Sequence, residues 1–280
     1  MSILEDRVAI VTGAAQGIGR SVALALAHEG ASVVANDVSE QVNQTVDTIL
    51  SAGGKAVGSV AAVGSAETSD YLVTTAKNNF GKIDILVNVA GILRDRMSWN
   101  MTDREWDEVI TVHLRGSFEN IRAVLPLMRG QQYGRIINFS SRSGILGNTG
   151  QVNYASAKAG ILGMTRTLAK ELSRFGITVN AIAPSALTGM TQSVPDATRE
   201  LRQAQGIANP NYGLGSPDDV APLIAYLASE EAGDLTGLTI GINGERLTLW
   251  SNPQPLRVAF QNGGWTVEAL GQKMRTVLEL

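Results

Sequence analysis

At 280 residues, 44% of them hydrophobic, the chain is long enough to bury the core of one large α/β unit, and nothing in its composition marks a second domain. It has no cysteine, which excludes disulfides and thiol catalysis, and its two histidines, His28 and His113, lie too far apart for a local metal motif. A net charge of −3 with dispersed Lys and Arg, and no signal-like or membrane-spanning segment, sets the expectation of a cytoplasmic protein with no nucleic-acid partner, no membrane partner and no metal.

The first element is the apolar run Arg7–Thr12, suited to a buried strand and followed directly by Gly13-Ala-Ala-Gln16-Gly17-Ile18-Gly19. Three glycines there close a tight strand-to-helix turn, in which the backbone can approach a pyrophosphate and the helix start can bind it. The next strand, Ala31–Asp37, ends in an acid about twenty residues on, as expected for a carboxylate that binds an adenosine ribose hydroxyl pair. Such a carboxylate repels a 2′-phosphate, and Gln16, before Gly17, is not a base that could neutralise one, so NAD is favoured over NADP. The bland alternative is that Asp37 caps a helix beginning near Ser39.

Further strands are expected at Lys55–Val60, Ile83–Val89, Arg135–Ser140, Ile177–Ile182 and Leu238–Ile242, with helices near 40–52, 66–80, 102–129, 153–175 and 217–228. Seven strands separated by helices predict a Rossmann-type doubly wound parallel sheet with helices on both faces. Ligands of such sheets bind beyond the carboxyl ends of the strands, where Gly13, Asp37, Asn88, Ser141 and Pro184 all fall. Residues 1–244 form the expected catalytic domain, and 185–215, rich in Gly, Pro, Asn and Ser, reads as its substrate lid. In the extension 245–280, Arg246–Trp250 and Leu256–Phe260 read as short strands and Trp265–Leu278 as an amphipathic helix, packed on the domain or at a subunit interface.

Tyr154 stands four residues before Lys158, so a helix over 153–175 puts both on one face, and Ser141 lies thirteen residues upstream of the tyrosine. A free tyrosine is only about one part in a thousand ionised at pH 7, and an adjacent ammonium would lower its pKa into a usable acid/base range. With five tyrosines and six lysines, chance alone gives roughly 0.1 such pairs per chain. The weight therefore rests on the glycine turn, the acid and the serine that accompany the pair.

Across residues 5–244 the chain resembles the short-chain dehydrogenase/reductase family. Thr12-Gly-Ala-Ala-Gln-Gly-Ile-Gly19 is similar to its cofactor loop, Asn88-Val-Ala-Gly91 to its Asn-Asn-Ala-Gly segment, and Ser141, Tyr154 and Lys158 to its catalytic serine, tyrosine and lysine. The resemblance implies hydride transfer between nicotinamide and a carbinol or carbonyl carbon. Tyr154 would exchange the hydroxyl proton, Ser141 hold the substrate oxygen, and Lys158 bind the nicotinamide ribose and lower the tyrosine pKa. It further implies cofactor contacts at Gln16, Ile18, Asn88, Ala90, Gly91, Tyr154, Lys158, Pro184, Leu187 and Thr188, and a homodimer or homotetramer built through the helices near 102–129 and 153–175.

Three positions depart from the family pattern. Ala62 stands where the family has an aspartate touching adenine, Val89 replaces the second asparagine of its segment, and His113 replaces the asparagine that supports a proton-relay water. His113 is either a further relay group titrating near pH ~6.5 or a hydrogen-bonded structural histidine. Gly91–Arg96, His113–Phe118 and Gly147–Tyr154 resemble the (3R)-hydroxyacyl-CoA dehydrogenase domain of peroxisomal multifunctional enzyme type 2 and related bacterial enzymes of acyl-CoA and steroid substrates. The substrate expected is thus a small-molecule secondary alcohol or ketone, a 3-hydroxyacyl-CoA thioester or a steroid-like compound, with Arg94 and Arg96 either pairing with a CoA phosphate or acting as plain surface charges. Alternatives are a 3-oxoacyl-carrier-protein reductase, a dehydrogenase of cyclic or xenobiotic alcohols, and a non-enzymatic nucleotide sensor.

Overall fold

The computed structural model describes residues 2–184 and 215–278. The expected lid, with Leu187 and Thr188, falls on 185–214 and so lies outside the described residues but for Gly215. Strands β1 (Val8–Thr12), β2 (Ser32–Asp37), β3 (Lys55–Val60), β4 (Ile85–Asn88), β5 (Gly134–Phe139), β6 (Ile177–Pro184) and β7 (Thr239–Asn243) are parallel, in the order 3-2-1-4-5-6-7. The order reverses between β1 and β4, which opens a crevice at their carboxyl ends.

The seven-strand expectation needs one correction. An eighth strand, β8 (Arg246–Trp250), pairs antiparallel with β7 across the two-residue turn Gly244-Glu245. Gly244 supplies the positive φ of 47° that this tight hairpin requires.

Helices α1 (Gly17–His28), α2 (Val42–Ser51), α3 (Ala66–Phe80), α4 (Asp103–Ile110), α5 (Gly116–Gln131), α6 (Arg142–Leu146), α7 (Val152–Leu172) and α8 (Ala221–Ala228) complete the first of two compact units, Met1–Trp250. Local chemistry fixes several ends. Ser65 caps α3 through the Thr68 amide, and Thr102 and Glu105 form a reciprocal capping box at α4. The single helix expected near 102–129 is broken by a π-helical turn, Thr111–Arg115, between α4 and α5. Such a turn widens the helix where a functional side chain projects, and here it carries His113.

Alternate residues of the strands feed the two faces of the sheet. Ala9 and Val11 pack with Val22 and Leu26 of α1 and with Ile224 and Leu227 of α8, while Val8 and Ile10 pack with Leu72 of α3 and Ile121, Val124 and Met128 of α5. Each fully buried side chain of this size contributes about 1.5–3 kcal/mol, so the sheet's two apolar faces hold its carboxyl edge as a rigid platform. Among the described residues no helix is long and apolar enough to cross a membrane.

The second unit, Ser251–Leu280, contains helix α9 (Val267–Leu278), started by the Thr266 hydroxyl accepting from the Ala269 amide at 3.1 Å. The strand expected at Leu256–Phe260 does not form. Pro253 and Pro255 remove ladder donors next to it, and Leu256 and Phe260 stay 93% and 86% exposed without a partner strand.

Candidate active site

A cavity of about 550 Å³ runs along the carboxyl edge and is lined by Gly13, Gln16, Gly17, Ile18, Gly19, Asp37, Ala62, Ala90, Gly91, His113, Tyr154, Lys158 and Pro184 among others. Residues at the ends of six strands, β1 to β6, thus meet residues of α1, the π-helical turn and α7, where the sequence alone could only align them in order.

At the glycine turn, a Cβ on Gly19 would stand 1.9 Å from the Gly13 carbonyl oxygen, so helix α1 can start this close to β1 only without a side chain there. By helix geometry the amides of Gly17, Ile18 and Gly19 have no intrahelical acceptor, no acidic residue occupies the first turn, and all three residues line the cavity. Amides arranged in this way suit an anionic pyrophosphate. Thr12 secures the arrangement: its hydroxyl accepts from the amides of Val89 and Ala90 at 3.1 and 3.2 Å, clamping the turn after β4 against the glycine turn.

Asp37 does not cap a helix, since α2 begins at Val42 with Gln41 before it. Its Oδ2 accepts from the Ala15 amide at 3.1 Å and its Oδ1 from the Ser39 amide at 3.0 Å, which hold the carboxylate at the cavity wall. Each oxygen retains a lone pair for a ribose hydroxyl. Of the cavity-lining residues described, Lys158 is the one cation, so nothing described beside Asp37 would balance a 2′-phosphate. The residues present therefore fit a dinucleotide with a free ribose diol.

Asn88 lies beneath the cavity rather than in its wall. Its Nδ2 donates to Asn138 at 3.0 Å and its oxygen accepts from Asn120 at 3.0 Å, tying β4 to β5 and α5. Asn138 continues the chain by donating to the Thr165 hydroxyl at 3.1 Å.

Ser141, Tyr154 and Lys158 converge as the spacing implied. Ser141 follows β5 and caps α6, its Oγ accepting from the Ser143 amide at 3.1 Å, and it is hydrogen-bonded to the Tyr154 phenol. The Lys158 ammonium sits 5.5 Å from the Tyr154 ring centroid and donates to the Phe139 carbonyl at 2.5 Å. Asn153, fully buried, orients the head of α7: it accepts from the Tyr154 amide at 2.7 Å and donates to the carbonyls of Arg94 and Glu105 at 3.1 and 3.0 Å.

The net shift of the phenol runs upward, against the lowered tyrosine pKa that the resemblance implies. Burial pushes the phenol up to about 12, opposed by the Ser141 hydrogen bond and reinforced by the Asp95 carboxylate, and burial brings the Lys158 ammonium down to about 7. Desolvation therefore outweighs the mutual effect of the pair, and both groups favour their neutral forms in this enclosure.

His113 is 1% exposed and sits edge-on to Tyr154, with ring centroids 5.1 Å apart at 88°. Its Nε2 lies 3.0 Å from the Ile92 amide and 2.8 Å from the Ile92 carbonyl, while Nδ1 is buried with no protein partner. A Cβ on Gly91 would lie 2.3 Å from its Cε1, so the ring occupies the space that glycine leaves. Burial, then the Lys158 charge, press the imidazole pKa well below its ordinary range. Of the two readings of His113, this direction opposes the relay group titrating near 6.5 and favours the hydrogen-bonded structural histidine, which stays neutral through neutral and alkaline pH. Replacing it by Asn is expected to leave the shape of the pH–rate profile above about pH 6 unchanged; loss of an acid limb in that variant would restore a titrating role.

Arg94 and Arg96 are engaged by α4, their Nε atoms donating to Glu108 and Glu105, each at 2.7 Å. Asn120 and Asn138 carry no signal in the sequence, because buried polar residues of this kind mark a site only once their partners are known.

A glycine turn at a helix start, an acid at the end of β2, and Tyr154 and buried Lys158 along one cavity, with Ser141 hydrogen-bonded to the tyrosine, fit a dinucleotide-dependent oxidoreductase. A family model described as enoyl-(acyl carrier protein) reductase matches residues 13–244. The 3-oxoacyl-[acyl-carrier-protein] reductase FabG of Thermotoga maritima is 42% identical over 243 residues, covering 86% of this chain and 98% of that protein. The hydroxyacyl-CoA dehydrogenase ChsB1 of Mycobacterium tuberculosis is 42% identical over 264 residues, covering 89% of this chain and 81% of that protein. A crystal structure of a short chain dehydrogenase from Mycobacterium avium superposes with a TM-score of 0.87 at 38% identity, covering 99% of this chain and 96% of that one. The chain belongs to the short-chain dehydrogenase/reductase family and is an oxidoreductase.

Proposed function

We propose that this enzyme interconverts the secondary alcohol of a 3-hydroxyacyl-CoA thioester and the corresponding ketone, using NAD. The observation that carries the reading is the single cavity bounded by Asp37 and by Tyr154 and Lys158, with no cation described beside Asp37. The thioester follows from likeness to relatives named as acting on hydroxyacyl-CoA and 3-oxoacyl chains.

A dinucleotide held through its pyrophosphate at the glycine turn would supply the hydride acceptor. Ser141 has one lone pair taken by the Ser143 amide, which leaves its hydroxyl proton free to turn from the phenol to the substrate oxygen. In ketone reduction Tyr154 gives its phenolic proton to the substrate oxygen as hydride reaches the carbon and is left as phenolate, and in alcohol oxidation that phenolate takes the carbinol proton as hydride leaves. Lys158, anchored on the Phe139 carbonyl, is partly charged near neutrality and stabilises the phenolate as it forms. The buried His113 ring excludes water from the phenol's edge. The enzyme is further proposed to be a cytoplasmic homodimer or homotetramer, with residues beyond Gly244 as an extension to the catalytic domain.

The test is reduced-nicotinamide absorbance on incubating the protein with (3R)-hydroxybutyryl-CoA and either NAD or NADP. NAD is expected to be preferred by about tenfold or more, a difference of roughly 1.4 kcal/mol, with the preference eroded in Asp37→Ala. Equal use of both dinucleotides would remove the role given to Asp37, and absence of turnover with bound NAD would remove the thioester.

A further inference from the structure

Two polar residues beside the serine, tyrosine and lysine have no part in the reaction as described so far. Gln151 is 4% exposed and heads α7, three residues before Tyr154. Its Nε2 donates to Asp95 Oδ2 at 2.8 Å, and its Oε1 accepts from the Ser143 hydroxyl at 3.0 Å and from Asn148 Nδ2 at 2.8 Å. The loops that carry these residues are laced together by two further bonds, the Arg96 amide to the Gly150 carbonyl at 2.8 Å and Asn153 Nδ2 to the Arg94 carbonyl at 3.1 Å.

A glutamine amide presents nearly the same shape when turned over, so shape alone does not decide which end faces Ser143. A carboxylate only accepts, so Asp95 must face the NH₂ group, which leaves the carbonyl oxygen for Ser143 and Asn148. Ser143 is then fixed at both of its polar groups: its hydroxyl donates to Gln151, and its amide donates to Ser141 Oγ at 3.1 Å. Had the glutamine turned over, its NH₂ would confront the donors of Asn148, and the turn that aims the Ser143 amide would lose its anchor.

We propose that Asp95 is a positioning residue of this reaction: it orients Gln151 and, through Gln151 and Ser143, fixes the Ser141 hydroxyl as a donor to the substrate oxygen. The inference rests on the roles given to Ser141 and Tyr154 above. Asp95 also acts by charge. The charged or titratable groups described around the phenol are Lys158 from α7, His113 from the π-helical turn and Asp95 from the loop after β4; His113 is neutral, and of the three Asp95 is the one that disfavours phenolate.

The two effects separate in two variants. Asp95→Asn keeps an acceptor oxygen for Gln151 and removes the charge. Asp95→Leu removes both. The pH dependence of kcat for alcohol oxidation, measured with (3R)-hydroxybutyryl-CoA and with the neutral ethyl (3R)-hydroxybutanoate, reads them out. Asp95→Asn is expected to retain most of kcat at its optimum while the rising limb set by ionisation of the phenol moves to lower pH by on the order of one unit. Asp95→Leu is expected to show the same displacement, together with a fall in kcat of up to about 100-fold and an unchanged KM for NAD. A wild-type kcat in Asp95→Leu, or an Asp95→Asn profile that superimposes on wild type, would overturn the proposal. Should Asp95→Leu fail to fold, the Asn variant alone decides. Wild-type turnover of the ethyl ester but not the thioester would remove the substrate class and leave the comparison intact. Phenolate ultraviolet absorbance of each variant, less that of its Tyr154→Phe counterpart, follows the same displacement without any substrate.

Discussion

Replacing Tyr154 by Phe is expected to lower kcat by about a thousandfold or more while leaving dinucleotide affinity near that of wild type. The substitution deletes one oxygen and keeps the ring, so the edge-on contact with His113 and the seat of the ring near Lys158 both persist. What is lost is the one group placed to exchange a proton with a substrate oxygen that Ser141 also reaches. The amides of Gly17–Gly19 and the carboxylate of Asp37 have no contact with that oxygen, so cofactor titration by nicotinamide fluorescence is the internal control. Turnover near the wild-type rate would take the proton away from Tyr154. Impaired binding with impaired turnover would mean instead that the phenol serves to shape the cavity.

The parts of this site that were legible in the sequence are those where backbone geometry restricts the residue type. Gly19 had to be glycine because the Gly13 carbonyl occupies the place of its Cβ, and such a restriction leaves a pattern in the chain. Tyr154 and Lys158 lie on one helix, so their spacing alone predicts their meeting. The alternation in β1, with Val8 and Ile10 on one face and Ala9 and Val11 on the other, was hidden inside an unbroken apolar run, because a parallel strand buries both faces. Parts that depend on partners distant in the chain were not legible. Arg246–Trp250 and Leu256–Phe260 both read as short strands, yet only the first finds a partner edge, in β7, and becomes the eighth strand, while the second forms no strand. Asn88 reads as part of a cofactor motif, but its side chain is held by Asn120 and Asn138, thirty-two and fifty residues away. The pKa of the tyrosine could not be read from a neighbouring lysine, since the deciding quantity was the burial of both groups.

That burial leads to the second large effect, at Lys158. Replacing it with Met, whose unbranched side chain follows the same path, should reduce kcat by about 100-fold or more, because no charge remains to meet the forming phenolate. The same variant should make the cofactor-free protein more stable at neutral pH. Burial lowers the lysine pKa from 10.5 to about 7, so at pH 7 and below the native state keeps a desolvated charge that the unfolded chain hydrates freely. Between about pH 7 and 10.5 the unfolded chain binds the proton and the native state releases it, so wild-type stability climbs with pH through that window. Opposing the gain, Met leaves the Phe139 carbonyl without the ammonium donor, at a cost of about 1–3 kcal/mol. The desolvation relieved at neutral pH is on the order of 3 kcal/mol or more, so the variant should gain about 1 kcal/mol there, and its Tm should rise by about 2–4 °C. As pH approaches 10.5 the charge penalty fades and the orphaned carbonyl dominates, so the sign should reverse. Calorimetry of the two proteins at pH 6.5 and pH 10 decides between this account and one in which the lysine is fully solvated, since the latter predicts the same difference at both.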